Sequence, residues 1–214
     1  MTCRKLPASL NSLSLLCVML LSVASARGAV IWDESSDGDL SNVQASPTKL
    51  ALGFGTNSIK GSVVSTTDLR DWVTLTVPAG MKLKQIILAS YTSADAQGFT
   101  GFATGTAFAG DPLTAGAYTG YAHFGTGATN PSIPTNLVGA DILPIMADPV
   151  ASPGDTGFAI PLGPGDYAFL IQQFGATTAY QFDYIVVPEP AAMILAGLGA
   201  LVLVPVIRRR RQER

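Results

Sequence analysis

Cysteine is scarce in this 214-residue chain, and the two present, Cys3 and Cys17, both lie within the first 26 residues. A domain that follows them is held together without disulfides and does no thiol chemistry. Histidine occurs once, as His123 in Tyr121-Ala122-His123-Phe124-Gly125, which leaves no His-Glu-x-x-His pair and no His-rich zinc set. There is no Gly-x-Ser-x-Gly nucleophile elbow and no long amphipathic helix. Positive charge is short in the middle of the chain. Between Arg27 and Val187 six basic residues face thirteen acidic ones, for a net charge of −7, and Glu34 is the only glutamate among them. The whole-chain value of −2 hides this because the other basic residues crowd the two ends. Nucleic acid is held largely by cationic contacts to phosphate, so a domain this acidic with no Lys/Arg cluster excludes it as a partner. Divalent cations and neutral sugars suit such a surface better.

The two ends are rich in what the middle lacks. At the amino end Arg4 and Lys5 supply a positive region, Leu13 to Val23 an apolar one, and Ala24-Ser25-Ala26 an A-x-A site. That order predicts a secretory signal helix over residues 1–26, cut by signal peptidase after Ala26. Leu16 stands before Cys17 where lipid attachment wants a small residue, so a lipoprotein is not expected. At the carboxyl end Val187-Pro188-Glu189-Pro190 leads into the apolar run Ala191 to Ile207 and then Arg208, Arg209, Arg210 and Arg211. The seventeen apolar residues rise ~1.5 Å each, at the short end of what spans a ~30 Å hydrocarbon core. Pro205 lies near the end of this predicted transmembrane helix, where a kink matters least. Moving each arginine to mid-bilayer costs roughly 2.5–3.5 kcal/mol, so the basic tail 208–214 anchors on the cytoplasmic side of the inner membrane and the bulk of the chain is exported. Pro188 and Pro190 keep the approach extended, the conformation a protease cleft takes.

This ending resembles the PEP-CTERM sorting signal of Gram-negative bacteria, a Pro-Glu-Pro box, a short transmembrane helix and a basic tail spanning residues 188–214. The resemblance implies processing by a membrane protease of the exosortase type, with Val187, Pro188, Glu189 and Pro190 as the cleavage motif. It also implies a membrane-anchored precursor, delivery to the envelope, cell surface or medium, and association with exopolysaccharide.

The exported segment, residues 27–187, is long enough for one domain with a real core. Turn residues recur every eight to twelve positions between short alternating or β-branched runs, the all-β pattern. The clearest predicted strands are Asp71 to Val77, Leu83 to Thr92, Tyr167 to Phe174 and Ala179 to Val187. The last places Tyr180, Phe182, Tyr184 and Val186 on one side, and the first sets Val73, Leu75 and Val77 against Trp72 on the other. Weaker candidates are Asn57 to Val64, Phe99 to Phe108, Ala117 to Phe124 and Thr156 to Ile160. Asp141 to Ala147 reads as a helical turn that Pro144 keeps short. About eight strands suggest two antiparallel sheets packed as a jelly-roll-like β-sandwich.

Trp32-Asp33-Glu34-Ser35-Ser36-Asp37-Gly38-Asp39-Leu40-Ser41, Gly55-Thr56-Asn57, Asp71 to Gly80 and Gly163 to Gln173 are similar to stretches of exported domains related to the prepeptidase C-terminal (PPC) β-sandwich modules. Such modules accompany catalytic domains or stand alone, and the likeness implies a binding or surface role with no catalytic residues. A Ser-His-Asp triad would have to be built on His123 with Asp111 or Asp141 as orienter, and a glycosidase needs two carboxylates at the right separation. A hydrolase is therefore the third reading, behind a non-enzymatic envelope or matrix protein and a carbohydrate- or calcium-binding module.

No motif demands a cofactor, and Ca²⁺ is the one the acidic opening suggests. Asp33, Glu34, Asp37 and Asp39 fall within seven residues around Gly38, and oxygen ligands crowded on a loop are what Ca²⁺ coordinates. Asp68 or Asp71 would complete the shell from another strand end. The competing reading is that these residues cap turns through their own side chains. For sugar stacking, Tyr118 and Tyr121 are the expected exposed rings, while Trp32 is expected in the core.

Overall fold

A computed structural model describes residues 28–64, 66–130, 132 and 134–189. The predicted signal helix with Ala24 and Ala26, Pro190, the apolar run 191–207 and Arg208 to Arg211 lie outside the described residues. Among the described residues no helix is long and apolar enough to cross a membrane.

Among the described residues eleven strands and two short α-helices follow one another: β1 (Ala29–Asp33), α1 (Glu34–Asp37), β2 (Thr48–Ala51), β3 (Gly55–Val63), β4 (Arg70–Val77), β5 (Met81–Ser93), β6 (Gly98–Thr104), β7 (Gly120–Phe124), β8 (Ala128–Thr129), β9 (Pro134–Thr135), α2 (Leu143–Ala147), β10 (Gly165–Gln172) and β11 (Thr178–Pro188). One sheet has the order β1-β3-β11-β5 and the other β2-β4-β10-β6-β7, with β8-β9 a small ribbon beside them. Successive strands β3, β4, β5 and β6 thus alternate between the sheets, and β10 and β11 return between their neighbours.

The four clearest sequence runs form β4, β5, β10 and β11, because alternation lets each strand bury one face while its backbone pairs on both edges. Val73, Leu75 and Val77 from one sheet meet Tyr180, Phe182, Tyr184 and Val186 from the other in one buried core. Trp72 points the other way, as its parity requires. It joins Phe108, Tyr118, Ala168 and Leu170 in a second cluster on the outer face of the five-stranded sheet. The connection between β6 and β7 folds over that face and is tied down by Gln44, whose Nε2 donates to the carbonyls of Phe108 (3.0 Å) and Gly110 (2.7 Å).

Three expectations are corrected. The sheets are not antiparallel throughout: the edge pairs β1/β3 and β2/β4 are parallel, because β1 leads into the acidic opening and β2 leaves the loop that follows it, and neither is joined to its partner by a hairpin. Thr156 to Ile160 is irregular; a cis Ile160-Pro161 bond follows, and only Leu162 bridges to Leu83. The run Phe99 to Phe108 is strand only to Thr104, and Phe108 turns back to cover Trp72 at 5.3 Å between ring centroids. Of Asp141 to Ala147, Leu143–Ala147 forms the helical turn, with Pro144 in its first turn, where the missing amide costs nothing, while Asp141 bridges to Ile87.

Candidate functional site

The acidic opening folds locally before it does anything else. Asp33 caps α1, accepting from the backbone N–H of Ser35 (3.1 Å) and the Ser35 hydroxyl (2.6 Å), and it pairs with Lys60 at 3.2 Å. The Ser35 hydroxyl first, and Lys60 after it, hold its carboxyl below the usual range. Asp37 Oδ2 accepts from the N–H of Asp33 at 2.8 Å. These two side chains close the turn.

Gly38, at φ 91°, reverses the chain in a backbone conformation that favours glycine. The reversal drops Leu40 into the core at 1% exposure and brings Ser41 against Trp72, whose N–H donates to its carbonyl at 2.7 Å. Trp32 is only half-buried rather than a core residue, packing its ring on the core edge while Nε1 donates to the Gly38 carbonyl at 3.1 Å. Glu34 turns inward from α1. Its Oε1 accepts from Leu40 N–H (3.2 Å), and its Oε2 from the N–H (2.6 Å) and hydroxyl (3.2 Å) of Ser62 on β3. Burial raises the Glu34 carboxyl against these hydrogen bonds.

Asp71 meets it from the opposite sheet. On β4 it has the inward parity of Val73, Leu75 and Val77, and it is 0% exposed. Its Oδ2 accepts from the Tyr180 hydroxyl at 2.6 Å, while its Oδ1 has no hydrogen-bond partner. Burial pushes the Asp71 carboxyl up to about 9, and the Glu34, Asp68 and Asp39 carboxylates add to the effect of burial while Tyr180 opposes it. Gly61 makes the approach possible: a Cβ there would collide with the Tyr180 hydroxyl and sit 3.1 Å from Glu34 Oε1. One carboxylate oxygen from each of Glu34, Asp39 and Asp71 lies within 4.8 Å of the other two. Asp68, whose Oδ1 is also buried without a partner, stands close enough to act on Asp71 electrostatically. The structure thus keeps two of the four opening residues, Glu34 and Asp39, together and, of the two strand-end candidates, groups Asp71 with them. A charged residue on the otherwise apolar inward face of β4 is the signal in the sequence that marks Asp71.

The expected sugar platform is rearranged. Tyr118 is buried at 2% exposure in the outer cluster, its hydroxyl donating to the Pro112 carbonyl at 2.7 Å, which overturns its exposure. Tyr121 is half-buried, stacked on Phe99 at 5.5 Å, with its hydroxyl donating to the Pro153 carbonyl at 2.9 Å. His123 donates from Nδ1 to the Thr129 carbonyl at 2.9 Å. Asp141 accepts from the N–H groups of Ile86 and Leu143, and Asp111 from that of Leu113. The two proposed orienting carboxylates are therefore spent on backbone elsewhere.

At the other end, β11 runs directly into the predicted cleavage motif. Val187 and Pro188 pair with Lys82 and Met81 of β5, and the N–H of Glu189 donates to the Gly80 carbonyl at 2.7 Å. The backbone there is extended, as the prolines require, and it is also part of a sheet.

No curated protein matches the chain. Residues 186–211, beginning inside β11 and continuing through the apolar run to the arginines, match the family model of the PEP-CTERM protein-sorting motif, and the chain therefore carries that sorting motif, which begins within the last strand of its two-sheet β domain.

Proposed function

We propose that this protein is a non-enzymatic exosortase substrate: an exported jelly-roll-type sandwich, carried to the cell surface or extracellular matrix as a membrane-anchored precursor and working there in association with exopolysaccharide. The observation that carries the reading is the position of the sorting motif, which starts at the third-last residue of the final strand. A cut at or near Pro188 to Pro190 releases the domain with its core complete, since Val186 is the last residue of β11 in the buried cluster. The alternation of successive strands between two sheets supports the jelly-roll connectivity. The patchy likeness to PPC modules, which are auxiliary rather than catalytic, supports a binding role.

Intact mass spectrometry on protein recovered from envelope and medium, in hosts with and without the exosortase, tests the proposal. A mass ending near Val187 to Pro190 only when the protease is present is the expected result, with Glu189→Ala abolishing the shift. A chain that keeps Arg208 to Arg214 in both hosts would make it a simple anchored domain and overturn the reading.

A further inference from the structure

Asp71 is costly where it stands. An inward position between two packed sheets is where Val or Leu contributes most, and a buried carboxyl with an unpaired oxygen is destabilising. The single donor it meets, Tyr180, satisfies only Oδ2. Lys60, which lines the same surface hollow as Glu34, is paired with Asp33. Instead Asp71 faces two further carboxylates, Glu34 and Asp39, an arrangement that repels itself unless a proton or a cation lies among them.

We propose that Glu34, Asp39 and Asp71 bind a Ca²⁺ ion, with Asp68 at the edge of the shell, and that the ion fastens the acidic opening to strand β4. Three oxygens within 4.8 Å of one another can share one cation at the ~2.3–2.6 Å of calcium–oxygen bonds. The unpartnered Oδ1 of Asp71, fully buried, supplies a ligand whose lone pairs are otherwise idle. Glu34 keeps its hydrogen bonds to Leu40 and Ser62 and so is oriented before the ion arrives. The donors come from a helix, a loop and a strand, an irregular set that suits calcium's flexible coordination over the strict octahedron of Mg²⁺. The proposal does not depend on the sorting reading.

The full-length chain in detergent, stripped with chelator, is titrated with CaCl₂ by calorimetry and melted with and without the ion. The expected result is one saturable site with a Kd of about 10⁻⁴–10⁻³ M, the range of extracellular calcium modules, and a higher melting temperature. Asp39→Asn, on an exposed residue that the fold does not need, is expected to weaken binding about tenfold or more, and Asp71→Asn to abolish it. Asp37→Asn, which keeps an acceptor for the Asp33 amide, is expected to bind as the parent does. No binding up to about 10 mM Ca²⁺, well above that range, equal affinity in the parent and Asp39→Asn, or Mg²⁺ alone binding as tightly, would each overturn the proposal.

Discussion

Asp71 and Tyr180 form a pair whose energetics separate a structural role from a functional one. If Tyr180→Phe removes the only donor to Asp71, the carboxyl is left buried with both oxygens unsatisfied. The variant is expected to lose about 1–3 kcal/mol in calcium-free thermal or denaturant melts. Replacing both partners, Asp71→Val with Tyr180→Phe, removes the unpaired polar atoms together and is expected to leave stability equal to the parent or higher, while the calcium response disappears. A double variant as unstable as Tyr180→Phe would assign the pair to the fold instead. His123 offers a pH-dependent counterpart. Burial pulls its pKa below the ordinary value, partly offset by the Thr129 carbonyl. The folded state therefore binds fewer protons than the unfolded one, and the stability this represents is present above about pH 6.5 and lost as pH falls below it. His123→Gln, which retains a donor for Thr129, is expected to show a shallower loss of melting temperature from pH 7 to 5. An unchanged slope would mean that His123 titrates alike in both states.

At the scale of elements, the last strand carries two duties that conflict. Through Val186 it is core, and from Val187 to Glu189 it is sorting motif, yet those residues are still joined to β5 and to Gly80 by backbone pairing. A protease that binds its substrate as an extended strand has to compete with that pairing. Inserting Gly-Ser-Gly between Val187 and Pro188 moves the motif off the sheet, and faster conversion of precursor to processed form in a pulse-chase is the expected outcome. An unchanged rate would show that fraying at the end of β11 is already quicker than cleavage. The same scale explains why strands were legible to different degrees. β4, β5, β10 and β11 alternate cleanly, because each has one face on the main core. β1 and β2 are short edge strands that were not anticipated, since parallel pairing by a looping segment leaves no hairpin signal.

Over the whole molecule, the all-β class and the sorting motif could be read from composition and local pattern. Each is set by neighbours in the chain: charge next to apolar runs, turn residues between alternating ones, prolines before an arginine-capped span. The acidic opening was partly legible. Glu34 and Asp39 were in view, but Asp33 and Asp37 stood beside them with the same chemistry, and only the local fold showed that they cap and close α1. Tyr118 was misplaced because the outer face of the five-stranded sheet is itself apolar around Trp72, Ala168 and Leu170, and the β6–β7 connection folds back to cover it. The sequence by itself determined that the chain carries a sorting motif and that it folds as β-sheet, because those depend on short-range patterns of hydrophobicity and charge. Tertiary structure alone decided which carboxylates meet and which rings are hidden, because Glu34 and Asp71 belong to segments brought face to face only when the two sheets pack, with Gly38 turning the chain and Gly61 leaving room for Tyr180 between them.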